Sequence, residues 1–140
     1  MFKYVILIPS FNDWECLNLL IPKINQILKN TNEEVDILIV NDGSTKKNNL
    51  SFKKMSSLKK VEVLNLRNNV KNQIAIATGL NFLKKEKFQG GIIVMDGDGQ
   101  DDPEYLVDII KESKKNTERI ITVNRTKRQD EIKFKVLYQI

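Results

Sequence analysis

Tyr4-Val5-Ile6-Leu7-Ile8-Pro9-Ser10-Phe11-Asn12-Asp13 sets five consecutive apolar residues against a proline and a polar turn. A strand with one wet face alternates apolar and polar residues, whereas this run is apolar on both sides, as the strands of a helix-covered parallel sheet are. Pro9 is expected to end the strand. Asn12 or Asp13 then caps a helix carrying Trp14, Leu17, Leu20, Ile21, Ile24, Ile27 and Leu28 at helical spacing, with Pro22 placed to kink or divide it. The pattern repeats downstream. Apolar runs at 35–40, 61–66, 92–95 and 120–123 read as four more strands, and 74–83 reads as a helix. Pro103 sits where first-turn prolines sit, with Asp102 as the cap of a helix through Leu106, Ile109 and Ile110. The polar stretch 46–57 is expected to form one ragged helix. Strands alternating with helices predict an α/β, doubly wound, mostly parallel sheet flanked by helices.

The counts bound the chemistry. At 140 residues, 41% hydrophobic and 29% charged, the chain fits one domain with a core of its own. One cysteine, Cys16, leaves no intrachain disulfide, and its place beside the apolar face of the first helix reads as core filling, like that of Trp14. Histidine is absent from the sequence, so no His general base, Ser-His-Asp triad or His-ligated metal is built from these residues. What is left is carboxylates, amides, hydroxyls, Lys, Arg and a hard cation held through oxygen. The net charge of +5 comes from scattered lysine doublets such as Lys46-Lys47 and Lys84-Lys85. That spacing describes solvated faces rather than a nucleic-acid patch, although spread positive charge also suits peripheral attraction to an anionic membrane leaflet. No apolar run approaches the roughly 18 residues of a membrane span, and the expected location is cytoplasmic.

Ligands of an open parallel sheet bind beyond the carboxyl ends of its strands, so the residues following each strand belong together. They are Pro9 to Asp13, Asn41-Asp42-Gly43-Ser44, Arg67-Asn68, Asp96-Gly97-Asp98-Gly99-Gln100-Asp101 and Asn124-Arg125. Two carboxylates two residues apart, Asp96 and Asp98, can present oxygens to one hard divalent cation that keeps sites for phosphate. The plainer alternative is a solvated acidic turn capping the next helix, which is the reading given to Asp101 and Asp102. An EF-hand loop is excluded because Asp101 and Val107 stand where it needs Gly and Glu, and neither GxxxxGK[ST] nor GxGxxG is present. Asp42 reads equally as part of a tight turn and as an acceptor for a ring N–H or a ribose hydroxyl.

Taken in order, Pro9-Ser10-Phe11-Asn12-Asp13, Asn41-Asp42-Gly43-Ser44-Thr45, Arg67-Asn68 with Lys71 and 75–79, and Asp96 through Glu104 resemble the blocks of family 2 glycosyltransferases of the GT-A fold. The Arg-Asn block and the Gln-Asp-x-Pro-Glu extension most resemble the dolichol-phosphate mannosyltransferase-like and bacterial polyprenyl-phosphate branch. The resemblance implies an inverting hexosyltransferase moving a sugar from a GDP- or UDP-linked donor to a polyprenyl phosphate at the cytoplasmic face of the membrane. It implies that Pro9, Phe11, Asp13 and Asp42 line the nucleotide pocket with Gly97, and that Asp96 and Asp98 hold Mg or Mn with Gln100 nearby. Arg125, with Arg128, would neutralise phosphate. Phe11 stands where the family often has Tyr, Asp13 where Glu is common, Asn41 where Asp is common and Val70 where Gly is usual. A phosphomonoester acceptor is already ionised near neutral pH and needs no base, which suits a sequence without histidine; Asp130 and Glu131 are the isolated carboxylates after the Asp pair. The alternatives are a nucleotide-sugar-binding module without transfer, and a family 2 transferase acting on a hydroxyl in cell-envelope polysaccharide synthesis. Residues 1–140 are accordingly expected to be the donor-binding domain of a longer chain, with 133–140 opening a further amphipathic segment.

Overall fold

The computed structural model describes residues 2–52, 55–117 and 119–123. Four strands, β1 (Lys3–Ser10), β2 (Glu34–Asn41), β3 (Leu58–Asn65) and β4 (Gly91–Val94), form one parallel sheet in the order β3-β2-β1-β4. Helices α1 (Trp14–Ile27), α2 (Asn72–Lys85) and α3 (Leu106–Lys115) complete the fold. Residues of β1 alternate between two cores, which is why the run is apolar throughout. Tyr4, Ile6 and Ile8 face Leu17, Ile21 and Ile24 of α1 and Leu106 and Ile110 of α3, whereas Val5 and Leu7 face Ala75 and Leu83 of α2. The expected α/β sheet with helices on both faces is what forms.

Four local expectations need correction. First, β1 does not stop at Pro9: it pairs with β2 through Ser10↔Asn41. Odd-numbered residues of β1 turn their backbone toward β4, as Leu7 C=O does in accepting from Met95 N–H at 3.1 Å, and Ser10 C=O turns to β2, accepting from Asp42 N–H at 2.9 Å. Pro9 therefore faces the β4 side, two residues past the last β1–β4 pair, Leu7↔Val94, where its missing N–H costs no ladder bond. Second, α1 runs through Pro22 as one helix of 14 residues, and neither Asn12 nor Asp13 caps it with a side chain.

Third, the described residues of 46–57 form no helix. Its backbone takes partners from one polar stripe of α1 and the turn before it: Trp14 Nε1–H donates to Lys46 C=O (3.1 Å), Asn18 Nδ2–H donates to Asn49 C=O (3.1 Å), and Ser51 N–H donates to Asn18 Oδ1 (2.9 Å). Ser57 N–H donates to Asn25 Oδ1 (2.9 Å), and Leu50, Phe52 and Met55 pack on the α1 side of the core. The described part of the crossover is thus satisfied by an indole and two amides on its neighbour rather than by an i→i−4 ladder of its own. Fourth, 120–123 forms no strand, and Ile120 is 93% exposed. A strand requires a paired edge, and the described part of this segment pairs with none.

The connection into α3 follows expectation. Asp102 Oδ1 accepts Glu104 N–H (3.1 Å), and Pro103 opens the 3-10 turn Pro103–Tyr105 that leads into the helix.

Candidate functional site: a cleft at the fork of two strands

The chain steps from β1 out to β2 and β3, then returns to place β4 on the other side of β1, so the loops after β1 and β4 leave in opposite senses and open a crevice between them. A cleft of about 380 Å³ lies there. Pro9, Ser10 and Phe11 from the end of β1, Asp13 from the turn before α1, and Asp42 from the end of β2 form part of its wall; Asp96, Gly97 and Asp98 come from the loop after β4, and Asn69, Lys71 and Asn72 from the approach to α2.

Asp13 occupies the N-cap position of α1 without capping it, because its Oδ2 turns back to accept Phe11 N–H (3.1 Å). The carboxylate is left on the cleft wall. Asn12, at φ +63°, stitches the turn to the next loop: its Oδ1 accepts Thr45 N–H (2.9 Å) and Lys46 N–H (2.8 Å), while its own N–H donates to Ser44 Oγ (2.9 Å). Asn41 closes the turn after β2, its Oδ1 accepting Ser44 N–H (3.0 Å) and its Nδ2–H donating to Asn65 Oδ1 (2.8 Å). This donation needs an amide, which gives Asn41 a structural reason to stand where an acid is common.

Asp42 is 4% exposed and binds the segment before α2 through a short bond from Val70 N–H to Oδ1 (2.6 Å). It is both turn anchor and cleft wall. Gly43, at φ +69°, lets that segment close in: a Cβ there would lie 2.6 Å from the Asn68 carbonyl carbon. The backbone conformation that favours glycine next occurs at Lys71 (φ +73°, ψ 158°), one residue beyond Val70, where the resemblance places a glycine.

The loop after β4 passes close over the end of β1, since a Cβ on Gly97 would lie 3.0 Å from Ile8 Cγ2 and 3.2 Å from Pro9 C=O. Asp101 Oδ2 accepts Asp96 N–H (2.9 Å), and Asp98 Oδ1 accepts Gln100 N–H (2.9 Å), so the loop's own hydrogen bonds present Asp96 and Asp98 from one short arc. Asp96 is half-buried and Asp98 exposed. Among the described residues no third carboxylate, His or Cys converges with them into a cluster able to hold a metal alone. The pair nonetheless fits a hard divalent cation that completes its shell with water and ligand oxygens, since both side chains are oxygen donors on the same wall.

Seven of the expected residues, Pro9, Phe11, Asp13, Asp42, Asp96, Gly97 and Asp98, are therefore brought to one cleft. Gln100 is exposed and is not part of its wall. Arg125 and Arg128 lie outside the described residues, as do Asp130, Glu131 and 133–140. Residue patterns did not single out Ser10, Asn69 or Asn72, or give Lys71 a role; the positive φ of Lys71 is invisible in a sequence. The wall carries four carboxylates and, among the described residues, one ammonium, so it attracts a cation before it attracts an anion.

The same region is shared with known proteins. Residues 5–140 match the profile of glycosyl transferase family 2. The chain is 30% identical over 135 residues to the uncharacterized glycosyltransferase YkcC of Bacillus subtilis (strain 168), covering 95% of this chain and 40% of that protein. It is 26% identical over 130 residues to the uncharacterized glycosyltransferase sll0501 of Synechocystis sp. (strain ATCC 27184 / PCC 6803 / Kazusa), covering 90% of this chain and 38% of that one. The chain thus spans about two fifths of the length of these curated relatives. With a match running from the first strand onward over a fold and cleft of the kind described, the chain belongs to glycosyl transferase family 2.

Proposed function

We propose that the protein is an inverting glycosyltransferase that moves a hexose from a GDP- or UDP-linked donor to a polyprenyl phosphate, with Mg or Mn held by Asp96 and Asp98. The observation that carries this reading is the convergence of Asp96 and Asp98 with Phe11, Asp13 and Asp42 in one cleft at the sheet's switch point. A ring on Phe11 and two carboxylates suit a nucleoside, and the carboxylate pair suits the cation that accompanies a diphosphate. When bound, such a cation places positive charge where the leaving diphosphate develops negative charge. Asp96 and Asp98 would hold that charge in place, and their spacing is fixed by the loop bonds in which Asp101 Oδ2 accepts Asp96 N–H and Asp98 Oδ1 accepts Gln100 N–H.

The acceptor follows from the roles of the acids. Asp13 and Asp42 are engaged with backbone N–H groups, and Asp96 and Asp98 face the cation. A phosphate acceptor is already an anion and attacks without surrendering a proton, whereas a hydroxyl acceptor requires a base. Polyprenyl phosphate lies in a membrane, and a net charge of +5 supports approach to an anionic cytoplasmic leaflet. No helix among the described residues is long and apolar enough to cross a membrane.

Calorimetric titration with UDP- and GDP-sugars in the presence of Mn, followed by transfer assays with polyprenyl phosphate and with a sugar hydroxyl acceptor, tests the proposal. Asp98→Ala is expected to abolish metal-dependent nucleotide binding. Unchanged affinity in that variant would refute the cation site, transfer to the hydroxyl alone would refute the acceptor, and binding without turnover would leave these residues a donor-binding role.

A further inference from the structure

We infer that Asn12 is a positioning residue that sets the nucleoside half of the cleft, an inference that rests on the nucleotide-sugar reading of that cleft. Pro9, Ser10, Phe11 and Asp13 line the wall, and Asn12 alone of that turn does not. Its polar groups go to the loop after β2 instead. Asn12 Oδ1 accepts Thr45 N–H (2.9 Å) and Lys46 N–H (2.8 Å), its Nδ2–H donates to Thr45 Oγ1 (3.2 Å), and its backbone N–H donates to Ser44 Oγ (2.9 Å). One residue thus fastens the segment that carries Phe11 and Asp13 to the loop that carries Asp42.

A local role does not account for these bonds. Asparagine tolerates the backbone at φ +63°, but glycine suits it better, and the N-cap position of α1 belongs to Asp13. Thr45 and Lys46 are exposed, so water can take their N–H groups where no amide is present. What the bonds fix is the placement of one loop against the other. The β1–β2 ladder ends with Asp42 N–H on Ser10 C=O at 2.9 Å, and beyond it Asn12 carries the join, aided by Trp14 Nε1–H on Lys46 C=O. The loop with Asp96 and Asp98 leaves β4 and is shaped by bonds of its own, in which Asp101 Oδ2 accepts Asp96 N–H and Asp98 Oδ1 accepts Gln100 N–H. Loss of the Asn12 bridge therefore loosens the walls assigned to the nucleoside and leaves the carboxylate pair assigned to the cation.

The test titrates the wild-type chain, Asn12→Gly and Asn12→Asp with UDP or GDP plus Mn, and with pyrophosphate plus Mn. Glycine keeps the backbone and removes the side-chain bridge; aspartate keeps the accepting oxygen. N12G is expected to weaken nucleoside diphosphate binding about tenfold, to leave pyrophosphate binding unchanged and to speed hydrogen exchange at Thr45 and Lys46 N–H. N12D restores most of the ratio of nucleotide to pyrophosphate affinity, a ratio that removes the effect of its added charge. A loss in N12G shared equally by pyrophosphate overturns the inference, because a general structural role gives that result, and so does an N12D whose ratio matches that of N12G. If the wild type binds nucleotide but not pyrophosphate, the two variants decide on nucleotide affinity alone. If N12G does not fold, Ser44→Ala, which removes the acceptor of Asn12 N–H, takes its place with the same expected sign. A wild type that binds neither nucleotide refutes the nucleotide reading and the inference with it, whereas a wild type that binds and an N12G that binds equally well refute the inference and spare the cleft.

Discussion

At the scale of single residues, the cleft depends on backbones held in conformations that most side chains disfavour. Gly43 and Gly99 both have positive φ, +69° and +81°, but a Cβ at Gly43 would meet the backbone of Asn68 at 2.6 Å, whereas one at Gly99 would meet nothing within 4 Å. Gly99→Ala is therefore expected to cost about 1 kcal/mol, the conformational penalty alone, and Gly43→Ala roughly 3 kcal/mol, because a backbone neighbour cannot swing away. Urea denaturation of the two variants measures the difference, and equal losses would show that the close approach of the two loops is not tight. The same scale explains what residue patterns did and did not disclose about the site. Asp96 and Asp98 stand out because two carboxylates interleaved with glycines after a buried strand have few structural uses, whereas Asp42 reads equally as a turn residue and is assigned to the pocket only by the resemblance. Lys71 belongs to the Arg-Asn block that carries the resemblance, but its positive φ is not legible in a sequence. The place of Asp13 before a helix suggests a cap and the resemblance a pocket residue; the bond from Phe11 N–H to its carboxylate is why it does not cap, and it lies on the cleft wall.

Elements were legible in proportion to how far their own residues determine them. The strands follow from short, continuous apolar runs and the helices from apolar residues at helical spacing, and Asp102-Pro103 announced the start of α3. The described part of the crossover at 46–57 was opaque because its backbone is held by Asn18, Asn25 and Trp14 on another element, which no local pattern records. Ile120 to Val123 has the composition of a strand but no described partner, and composition does not supply one. Asp102 also carries a pH dependence. The Glu104 N–H bond holds its carboxyl below the ordinary value of 3.8, opposed by desolvation and aided by Lys23, whose Nζ lies 3.4 Å away. A depressed folded pKa means that the contribution is present above the ordinary value and is lost as pH falls through the folded one. The stability gap between wild type and Asp102→Asn should accordingly be constant from about pH 7 to about pH 5 and shrink below about pH 4. Thermal melts across that range check it; a gap that widens on acidification would reverse the assigned sign.

For the whole molecule, the strand order β3-β2-β1-β4 turns a set of separately readable loops into a site, because the reversal at β1 parts the chain where Pro9 has already given up its hydrogen bond. Both cores are built without the cleft carboxylates. The buried apolar residues of β1 and β2 pack against α1 on one face of the sheet and against α2 on the other, so a cation between Asp96 and Asp98 is not needed to fold the chain. Folding and ligand binding should then separate in one experiment. EDTA alone is expected to leave the melting temperature of the free protein unchanged. Adding Mn with the favoured nucleoside diphosphate at about a hundred times its Kd stabilises the folded state by about 2.7 kcal/mol through mass action. For a chain of this size that is an upward shift of roughly 5–10 °C, which EDTA should abolish and Asp98→Ala should not show. A melting temperature that falls with EDTA in the absence of nucleotide would instead make the cation part of the fold, and a nucleotide shift that survives EDTA would place the diphosphate on protein groups alone.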